Sequence, residues 1–330
     1  MRTQKAVLMN KIKFYFILSM LSLALFSCSK DKEAEVAPPR EYSVQYATDI
    51  KDIEEYLKTY YIEEVTVNFD IKISKIPTGG TQKSIWDQTT YPLQFREVNL
   101  HGLKYKLYYL ILNEGVGVSP VNVDGYFVGY KGDYLQQVTK ESVTTLTVTE
   151  FERNSFYLLS GAITGVSEFM PKLKTGTYSA NPDGTVAYKN FGAGVVFIPS
   201  GLGYYNSGSG SIPSYSPLVF NFKLFEVQRN DQDGDGIPSY LEDLDGDGYI
   251  YSFTNTTLYP TKPTTNPDDT DGDDVPDCFD VDDDGDNYTT KLERSYKDAN
   301  GVVKYYDFAD IPLCTGGNGK KRHLDPKCQN

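Results

Sequence analysis

The fold is decided by the stretch Ile163-Thr-Gly-Val-Ser-Glu-Phe-Met-Pro-Lys-Leu-Lys-Thr-Gly176 and by the segment that follows it. Apolar side chains recur at helical spacing through this stretch and Gly176 ends it, so the pattern predicts a short helix. Residues 195–200 have the composition of a strand, and residues 201–213 are a loop rich in glycine and serine. Alternating apolar residues predict one more strand, which includes Leu218, Phe220, Phe222 and Leu224.

The sequence before this stretch supplies further strands. Alternation predicts a strand at 65–73, stopped by Pro77, and three more strands at 102–112, 123–130 and 143–151. Thr48 or Asp49 is placed to cap a helix, which would pack on a sheet edge or act as a spacer. Many strands with few helices predict an α+β fold.

Negative charge is concentrated in one segment. The net charge of −13 hides an uneven distribution, because residues 231–293 contain 19 Asp and Glu residues against Lys262 and Lys291, a local charge of −17. The rest of the chain is about neutral once four basic residues near the N-terminus are set aside. This separation argues against nucleic acid as a partner and favours cations bound by the acidic residues.

Two parts of this segment have the spacing of calcium-binding loops. Residues 231–242 place oxygen donors at loop positions 1, 3, 5, 7 and 12, namely Asp231, Asp233, Asp235, the Ile237 carbonyl and Glu242. Residues 282–293 repeat the spacing with Asp282, Asp284, Asp286, the Tyr288 carbonyl and Glu293. Asn287 takes the place of the turn glycine, because Asn tolerates left-handed backbone.

Two partial loops lie between them and would share ions with their neighbours. One contains Asp243, Asp245 and Asp247, and the other contains Asp269, Asp271, Asp273 and Asp280. Pro238 and Pro276 exclude full flanking helices, so the segment resembles thrombospondin type 3 calcium repeats more than EF-hands. We therefore expect calcium as a structural cofactor, and the alternative is a disordered acidic tail.

The N-terminus has the features of an export leader. Basic residues precede a short apolar run at 14–26, and the run ends in Leu25-Phe-Ser-Cys28, which resembles a bacterial lipobox. This resemblance implies a lipid on Cys28, and the alternative is a plain secretory leader. Residues 29–33 resemble the export signal of Bacteroidetes surface lipoproteins, or are a solvated tether. The expected location is the outer membrane, on its periplasmic or its outer face.

Three further cysteines favour one disulfide in an oxidising compartment. Cys314 and Cys328 are the nearer pair, and closing that loop would contribute roughly 3 kcal/mol in the chain-entropy picture. Cys278 would then be free, or would pair in a different arrangement.

Motifs in order between residues 100 and 228 resemble the FK506-binding-protein (FKBP) type of peptidyl-prolyl isomerase. They are Gly102-Leu-Lys-Tyr105, Glu114-Gly-Val-Gly117, Tyr126-Phe-Val-Gly-Tyr130, Phe156-Tyr-Leu158, Ile163-Thr-Gly165, Ser200-Gly-Leu-Gly-Tyr-Tyr205, Ile212-Pro213 and Leu218-Val-Phe-Asn-Phe-Lys-Leu224. The resemblance covers a little over a third of the chain. It implies a twisted antiparallel sheet wrapped around one short helix, followed here by the irregular acidic segment.

The resemblance also implies a set of pocket residues. The side chains around a bound prolyl ring would be Tyr126, Phe156, Ile163, Tyr204, Ile212 and Phe220. The Ile163 N–H and the Tyr204 hydroxyl would donate hydrogen bonds to substrate carbonyls, although Tyr205 is an alternative to Tyr204.

Three departures from the family concern this pocket. Val166 stands where the family usually has Trp, so the floor of the pocket is smaller. The family's acidic residue after the turn glycine is missing or displaced to Asp133, and residues 178–191 look inserted. A weak isomerase and a proline-peptide binder are both consistent with such a pocket.

These patterns divide the chain into six parts. They are a leader at 1–27, a tether at 28–45, a helix and strand extension at 46–99, the FKBP-like domain at 100–228, the calcium repeats at 229–293 and a disulfide-stapled segment at 294–330. The leading hypothesis is a lipid-anchored isomerase or folding helper that acts on proline-containing polypeptides. The alternative is a non-catalytic surface binding or adhesion module with a degenerate FKBP pocket.

Overall fold

The computed structural model describes residues 38–159 and 161–328, and within strand residues 153–159 it describes the backbone alone. The predicted leader, Cys28 and most of the predicted tether lie outside the described residues. Within the described part, every helix is too short or too polar to cross a membrane. Described residues from Arg40 onward belong to one compact unit.

Most of the regular structure is strand. The described helices are α1 (Tyr42–Thr59), α2 (Thr164–Phe169), which continues into a 3₁₀ turn at Met170–Lys172, and α3 (Thr290–Glu293). The strands are β1 (Tyr60–Val65), β2 (Ile71–Lys75), β3 (Gln94–Leu100), β4 (Leu103–Asn113), β5 (Gly125–Lys140), β6 (Val143–Leu159), β7 (Thr177–Ala180), β8 (Val186–Lys189), β9 (Gly192–Ile198), β10 (Leu218–Gln228), β11 (Ser295–Lys297) and β12 (Val303–Tyr305).

Six strands form one antiparallel sheet in the order β3-β4-β9-β10-β5-β6. One face packs against α2 in a first core that contains Tyr105, Phe169 and Phe222. The other face packs against α1 in a second core that contains Leu57 and Phe197. This α+β arrangement is compatible with an FKBP-like fold. The predicted boundary at residue 100 divides this sheet, because β3 pairs with β4.

Close packing places α2 directly on the central strand β9. A Cβ atom at Gly165 would lie 2.4 Å from Cγ2 of Ile198, which is closer than such atoms approach. Glycine at this position therefore allows α2 to approach the sheet. The approach positions Ile163, the residue before the helix, at the edge of the first core.

The predicted continuous strand at 65–73 is wrong. The structure has a hairpin of β1 and β2 in its place, with a turn in which Phe69 has a φ of 59°. The Thr66 hydroxyl accepts hydrogen bonds from the N–H groups of Asn68 and Asp70 at 3.3 and 3.1 Å. Local hydrogen bonds of this kind compete with strand pairing and override the apolar alternation.

Helix α1 begins at Tyr42, inside the predicted tether, and the predicted caps Thr48 and Asp49 lie within the helix. Asp49 is 1 % exposed and accepts hydrogen bonds from the Ser200 N–H and hydroxyl at 2.7 and 2.6 Å. Gln45 donates to the same carboxylate at 2.6 Å. Asp49 thus fastens α1 to the loop that follows β9, a long-range role that a capping pattern does not reveal.

The Asp49 carboxyl generates a pH prediction. Burial raises its pKa to about 6, although the hydrogen bonds from Ser200 and Gln45 oppose the rise. Between pH 4 and 6 the unfolded chain releases this proton while the folded chain keeps it, so stability falls as the pH rises through this window. The contribution is about 3 kcal/mol at most. The free energy of unfolding, measured with urea from pH 4 to 7, should show this loss in the wild type and not in Asp49→Asn. Parallel pH profiles of the two proteins would contradict the assigned role of Asp49.

Candidate functional site

Five of the six predicted pocket residues meet in the first core. Tyr126 comes from β5 and Phe220 from β10, Ile163 precedes α2, and Tyr204 and Ile212 lie on the loop between β9 and β10. We call these five residues the pocket cluster. The sixth, Phe156, has its backbone paired with Gly129 in β6, and its side chain lies outside the described residues.

Three members of the pocket cluster are deeply buried and form its wall. Tyr126 is 1 % exposed, Phe220 5 % and Ile212 7 %. The Tyr126 hydroxyl donates to the Val121 carbonyl at 3.0 Å, so Tyr126 offers a ligand its ring alone. Val166, at the position of the family's Trp, is 3 % exposed and belongs to the same core. The side chains in this part of the first core are therefore apolar and shielded from water.

The two predicted hydrogen-bond donors are better placed for a ligand. Ile163 and Tyr204 are partly exposed at the rim of the first core. The Ile163 carbonyl accepts from the Val166 N–H at 2.9 Å, whereas the Ile163 N–H donates to no acceptor in the part of the chain that the structure describes. The Tyr204 hydroxyl likewise has no partner among residues 38–159 and 161–328. Both donors remain available to the carbonyl groups of a bound peptide.

The loop conformation places Tyr204 and Tyr205 in different surroundings. Tyr205 has a φ of 41° and turns away from the first core, and its ring stacks on Tyr42 of α1 with the centroids 4.2 Å apart. Its hydroxyl donates to the Arg40 carbonyl. Tyr205 therefore joins the loop to α1, and Tyr204 is the tyrosine that reaches the pocket cluster.

Two aromatic residues of the site were missed by the sequence analysis. Tyr130 and Phe151 pack edge-on against Phe220, with ring centroids 5.6 and 5.5 Å away. Tyr130 shares a face of β5 with Tyr126, so alternation gave a signal for it. Phe151 gave no such signal, because its approach depends on register shifts around Gly132, where a Cβ atom would lie 2.3 Å from the Phe151 ring.

The acidic segment folds into four loops of similar design, at 231–242, 243–248, 269–280 and 282–293. In the first of these acidic loops the Asp231 carboxylate accepts the N–H groups of Gly234 and Gly236 at 2.8 and 3.1 Å, and Asp243 and Asp269 repeat the pattern. Asn287 has a φ of 75°, which confirms the left-handed backbone predicted for it.

Carboxylates converge in every loop. Oxygens within 4.8 Å of one another come from Asp231, Asp233 and Asp235, from Asp243, Asp245 and Asp268, from Asp269, Asp271 and Asp273, and from Asp282, Asp284 and Asp286. The second group contains Asp268 and lacks Asp247, and the third group lacks Asp280. Asp268 was missed because it is distant in sequence, and its Oδ1 accepts the Leu244 N–H at 2.7 Å.

The last residues of the first and fourth loops, Glu242 and Glu293, indicate whether a cation fits these loops. Glu242 is 3 % and Glu293 0 % exposed, and neither oxygen of either carboxylate has a hydrogen-bond partner among the described residues. Burial, together with the neighbouring carboxylates, raises the pKa of Glu242 to about 10 and that of Glu293 to about 9. To be ionised at neutral pH, these two groups need a positive charge beside them, and an all-oxygen donor set suits calcium or magnesium. The residues therefore fit a divalent cation.

The stretch between the second and third acidic loops packs on α2 and on the turn between β3 and β4. Glu168 of α2 accepts hydrogen bonds from Tyr249 and Tyr251, at its carbonyl and its carboxylate respectively, at 3.0 and 2.8 Å. The His101 N–H donates to the Leu258 carbonyl at 2.6 Å. The acidic segment is thus anchored beside α2 and the β3–β4 turn.

The C-terminal segment contains a disulfide between Cys314 and Cys328. Cys278, within the third acidic loop, is buried and is a free thiol. Burial, followed by the charges of Glu242 and Asp233, raises its pKa well above the usual range.

Comparison with known proteins gives a family match for part of the chain, and the solved structures that match include two peptidyl-prolyl isomerases. Residues 232–321 match the family described as BamM C-terminal, so the acidic segment is similar to that family rather than to thrombospondin type 3 repeats. Comparison with curated sequences finds no match.

The structural neighbours are of low similarity. The crystal structure of FkpA from Escherichia coli is 26 % identical with a TM-score of 0.27, over 37 % of this chain and 48 % of that one, so this chain spans about half the length of FkpA. A peptidyl-prolyl cis-trans isomerase from Pseudomonas syringae pv. tomato is 14 % identical with a TM-score of 0.30, over 58 % of this chain and 100 % of that one.

Proposed function

We propose that the protein is a peptidyl-prolyl cis-trans isomerase or folding helper of the FKBP type, which acts on proline-containing polypeptides outside the cytoplasm. The observation that carries the proposal is the pocket cluster. Five residues from separate parts of the chain meet in one apolar core, and two hydrogen-bond donors at its rim, the Ile163 N–H and the Tyr204 hydroxyl, have no partner in the described structure.

The chemistry requires no nucleophile. Rotation about an X-Pro bond has a barrier of about 20 kcal/mol because the amide loses its resonance when it twists. Phe220, Ile212 and Tyr126 would hold the prolyl ring in a water-poor surface, which favours the less polar twisted amide. The Ile163 N–H and the Tyr204 hydroxyl would fix the neighbouring carbonyl groups, so that rotation is confined to one bond.

A non-catalytic peptide-binding module is the second candidate. The observation that favours it is the deep burial of Phe220 and Ile212, which are 5 % and 7 % exposed over the small Val166 floor. Because these side chains are so little exposed, a prolyl ring would enter the pocket less deeply than an efficient isomerase requires. Such a module would bind proline-containing peptides without accelerating their isomerisation.

We also propose that the acidic loops bind calcium as a structural cofactor. The unpartnered, buried carboxyl groups of Glu242 and Glu293 support this proposal, because neither has a hydrogen-bond partner among the described residues and a bound cation would supply one for the ionised form. The ligands would be the converging aspartates of each loop and these two glutamates. Calcium would supply positive charge that holds the loops together, with no part in isomerisation.

We further propose attachment to the outer membrane through a lipid on Cys28. The lipobox-like sequence before Cys28 supports the anchor. The similarity of residues 232–321 to BamM C-terminal supports a role at the outer membrane, in association with the membrane or with a protein complex there.

The isomerase proposal predicts a difference between two neighbouring tyrosines. Tyr204→Phe removes the rim hydroxyl and should lower kcat/KM on a short X-Pro peptide by a factor of about 5 to 10, the worth of one hydrogen bond. Tyr205→Phe is the matched control, since its hydroxyl faces Arg40. Equal activity of both variants and the wild type would contradict the assigned role. A folded wild type that binds the peptide without accelerating its isomerisation would favour the binding module.

The calcium proposal predicts an effect of chelation on one segment. EGTA should make residues 231–293 sensitive to protease, because the carboxylates then repel one another, while residues 100–228 stay protected. Mass spectrometry of the fragments locates the cleavages, and added calcium should restore resistance. Equal resistance of residues 231–293 with and without EGTA would count against the proposal.

The lipid anchor predicts labelling at one residue. Cells that express the wild type and are fed an alkyne-labelled fatty acid should incorporate the label into the protein, and Cys28→Ser should abolish it. Ser29→Ala, next to the modified position, should keep the label. Label that persists in Cys28→Ser would show that Cys28 is not the site of attachment.

A further inference from the structure

Asp283 faces away from the acidic loop to which it belongs. Its neighbours Asp282 and Asp284 converge with Asp286 in the fourth loop. The Asp283 carboxylate instead groups with Asp233 and Glu242 of the first loop, and oxygens of the three residues lie within 4.8 Å of one another. Two ends of the acidic segment, distant in sequence, therefore share one cluster of carboxylates.

The cluster is buried and lacks compensation. Asp283 is 2 % and Glu242 3 % exposed, and all four of their carboxylate oxygens, with Oδ2 of Asp233, have no hydrogen-bond partner among the described residues. The nearby cations are engaged elsewhere, since Arg294 donates to the Asp235 carbonyl and Lys291 to the Gly234 carbonyl, both at 2.9 Å. Three ionised carboxylates so close together would strongly destabilise the fold unless a cation lay between them.

We propose that a divalent cation, calcium by the chemistry of its ligands, binds between the first and fourth acidic loops through Asp233, Glu242 and Asp283. Oxygens that surround one calcium ion at about 2.4 Å lie no more than about 5 Å apart, which is the spacing seen here. This ion is additional to the ions of the individual loops. Asp233 and Glu242 have two oxygens each and serve both the ion of their own loop and the shared ion.

The shared ion acts as a cross-link. It joins residues of the first loop to a residue of the fourth, and so closes the acidic segment into one unit. Ions held within single loops cannot supply this connection. The inference rests on the proposed calcium binding of the acidic segment and is independent of isomerase activity.

Calcium counting on the full chain tests the shared site. Equilibrium dialysis with radioactive calcium should show one ion fewer per chain for Asp283→Asn than for the wild type, with the remaining ions still bound. Asp277→Asn is the matched control, because Asp277 is 1 % exposed but has both oxygens hydrogen-bonded to Thr270 at 2.8 Å, and it should keep the full count. An unchanged count for Asp283→Asn would overturn the shared site, whereas no calcium on the wild type would overturn calcium binding altogether.

A second measurement needs no variant. Wild-type crystals grown with terbium in place of calcium should give an anomalous peak between Asp233, Glu242 and Asp283. Peaks confined to the individual loops, with none at this position, would overturn the inference even if Asp283→Asn fails to fold.

Discussion

The ion pair between partly buried Arg96 and buried Glu168 holds α2, the edge of the sheet and the acidic segment in one arrangement. Arg96 of β3 donates to Glu168 of α2 at 2.7 Å, and the Glu168 side chain is 2 % exposed. Tyr251 donates to the same carboxylate, and the Arg96 guanidinium lies 3.3 Å from the ring centre of Tyr249. Loss of the Arg96 charge would leave the Glu168 carboxylate buried without its partner, and breaking a buried pair in this way typically costs about 3 to 5 kcal/mol. Because Ile163 directly precedes α2, the geometry of the pocket depends on this pair.

Much of the sheet and the pocket was predictable because it follows from local patterns. The alternation from Leu218 to Leu224 sets which side chains face the first core, and Leu218, Phe220, Phe222 and Leu224 all lie there. The order of short motifs predicted that Ile163 and Tyr204 lie at the same core, and this prediction did not require the strand pairing. The left-handed backbone of Asn287 followed from the loop spacing alone.

Long-range contacts account for what the sequence did not predict. Asp49 is of a residue type that often caps helices, but its hydrogen-bond partner Ser200 is 151 residues away. Phe151 reaches Phe220 only through irregular pairing of β5 with β6. No local pattern predicted the positions of Asp268 and Asp283, because each converges with carboxylates that are distant in sequence. The periodicity of a sequence specifies which face a residue takes, whereas tertiary packing specifies which distant residue it meets.

The pocket cluster is the central claim, and a peptide titration followed by NMR tests it most directly. A short X-Pro peptide added to ¹⁵N-labelled protein should shift the Ile163 amide most strongly, because that N–H lacks an acceptor in the described structure and lies at the rim of the first core. The amides of the loop that carries Tyr204 should shift with it. An unchanged Ile163 amide at a peptide concentration that perturbs other residues would contradict the account.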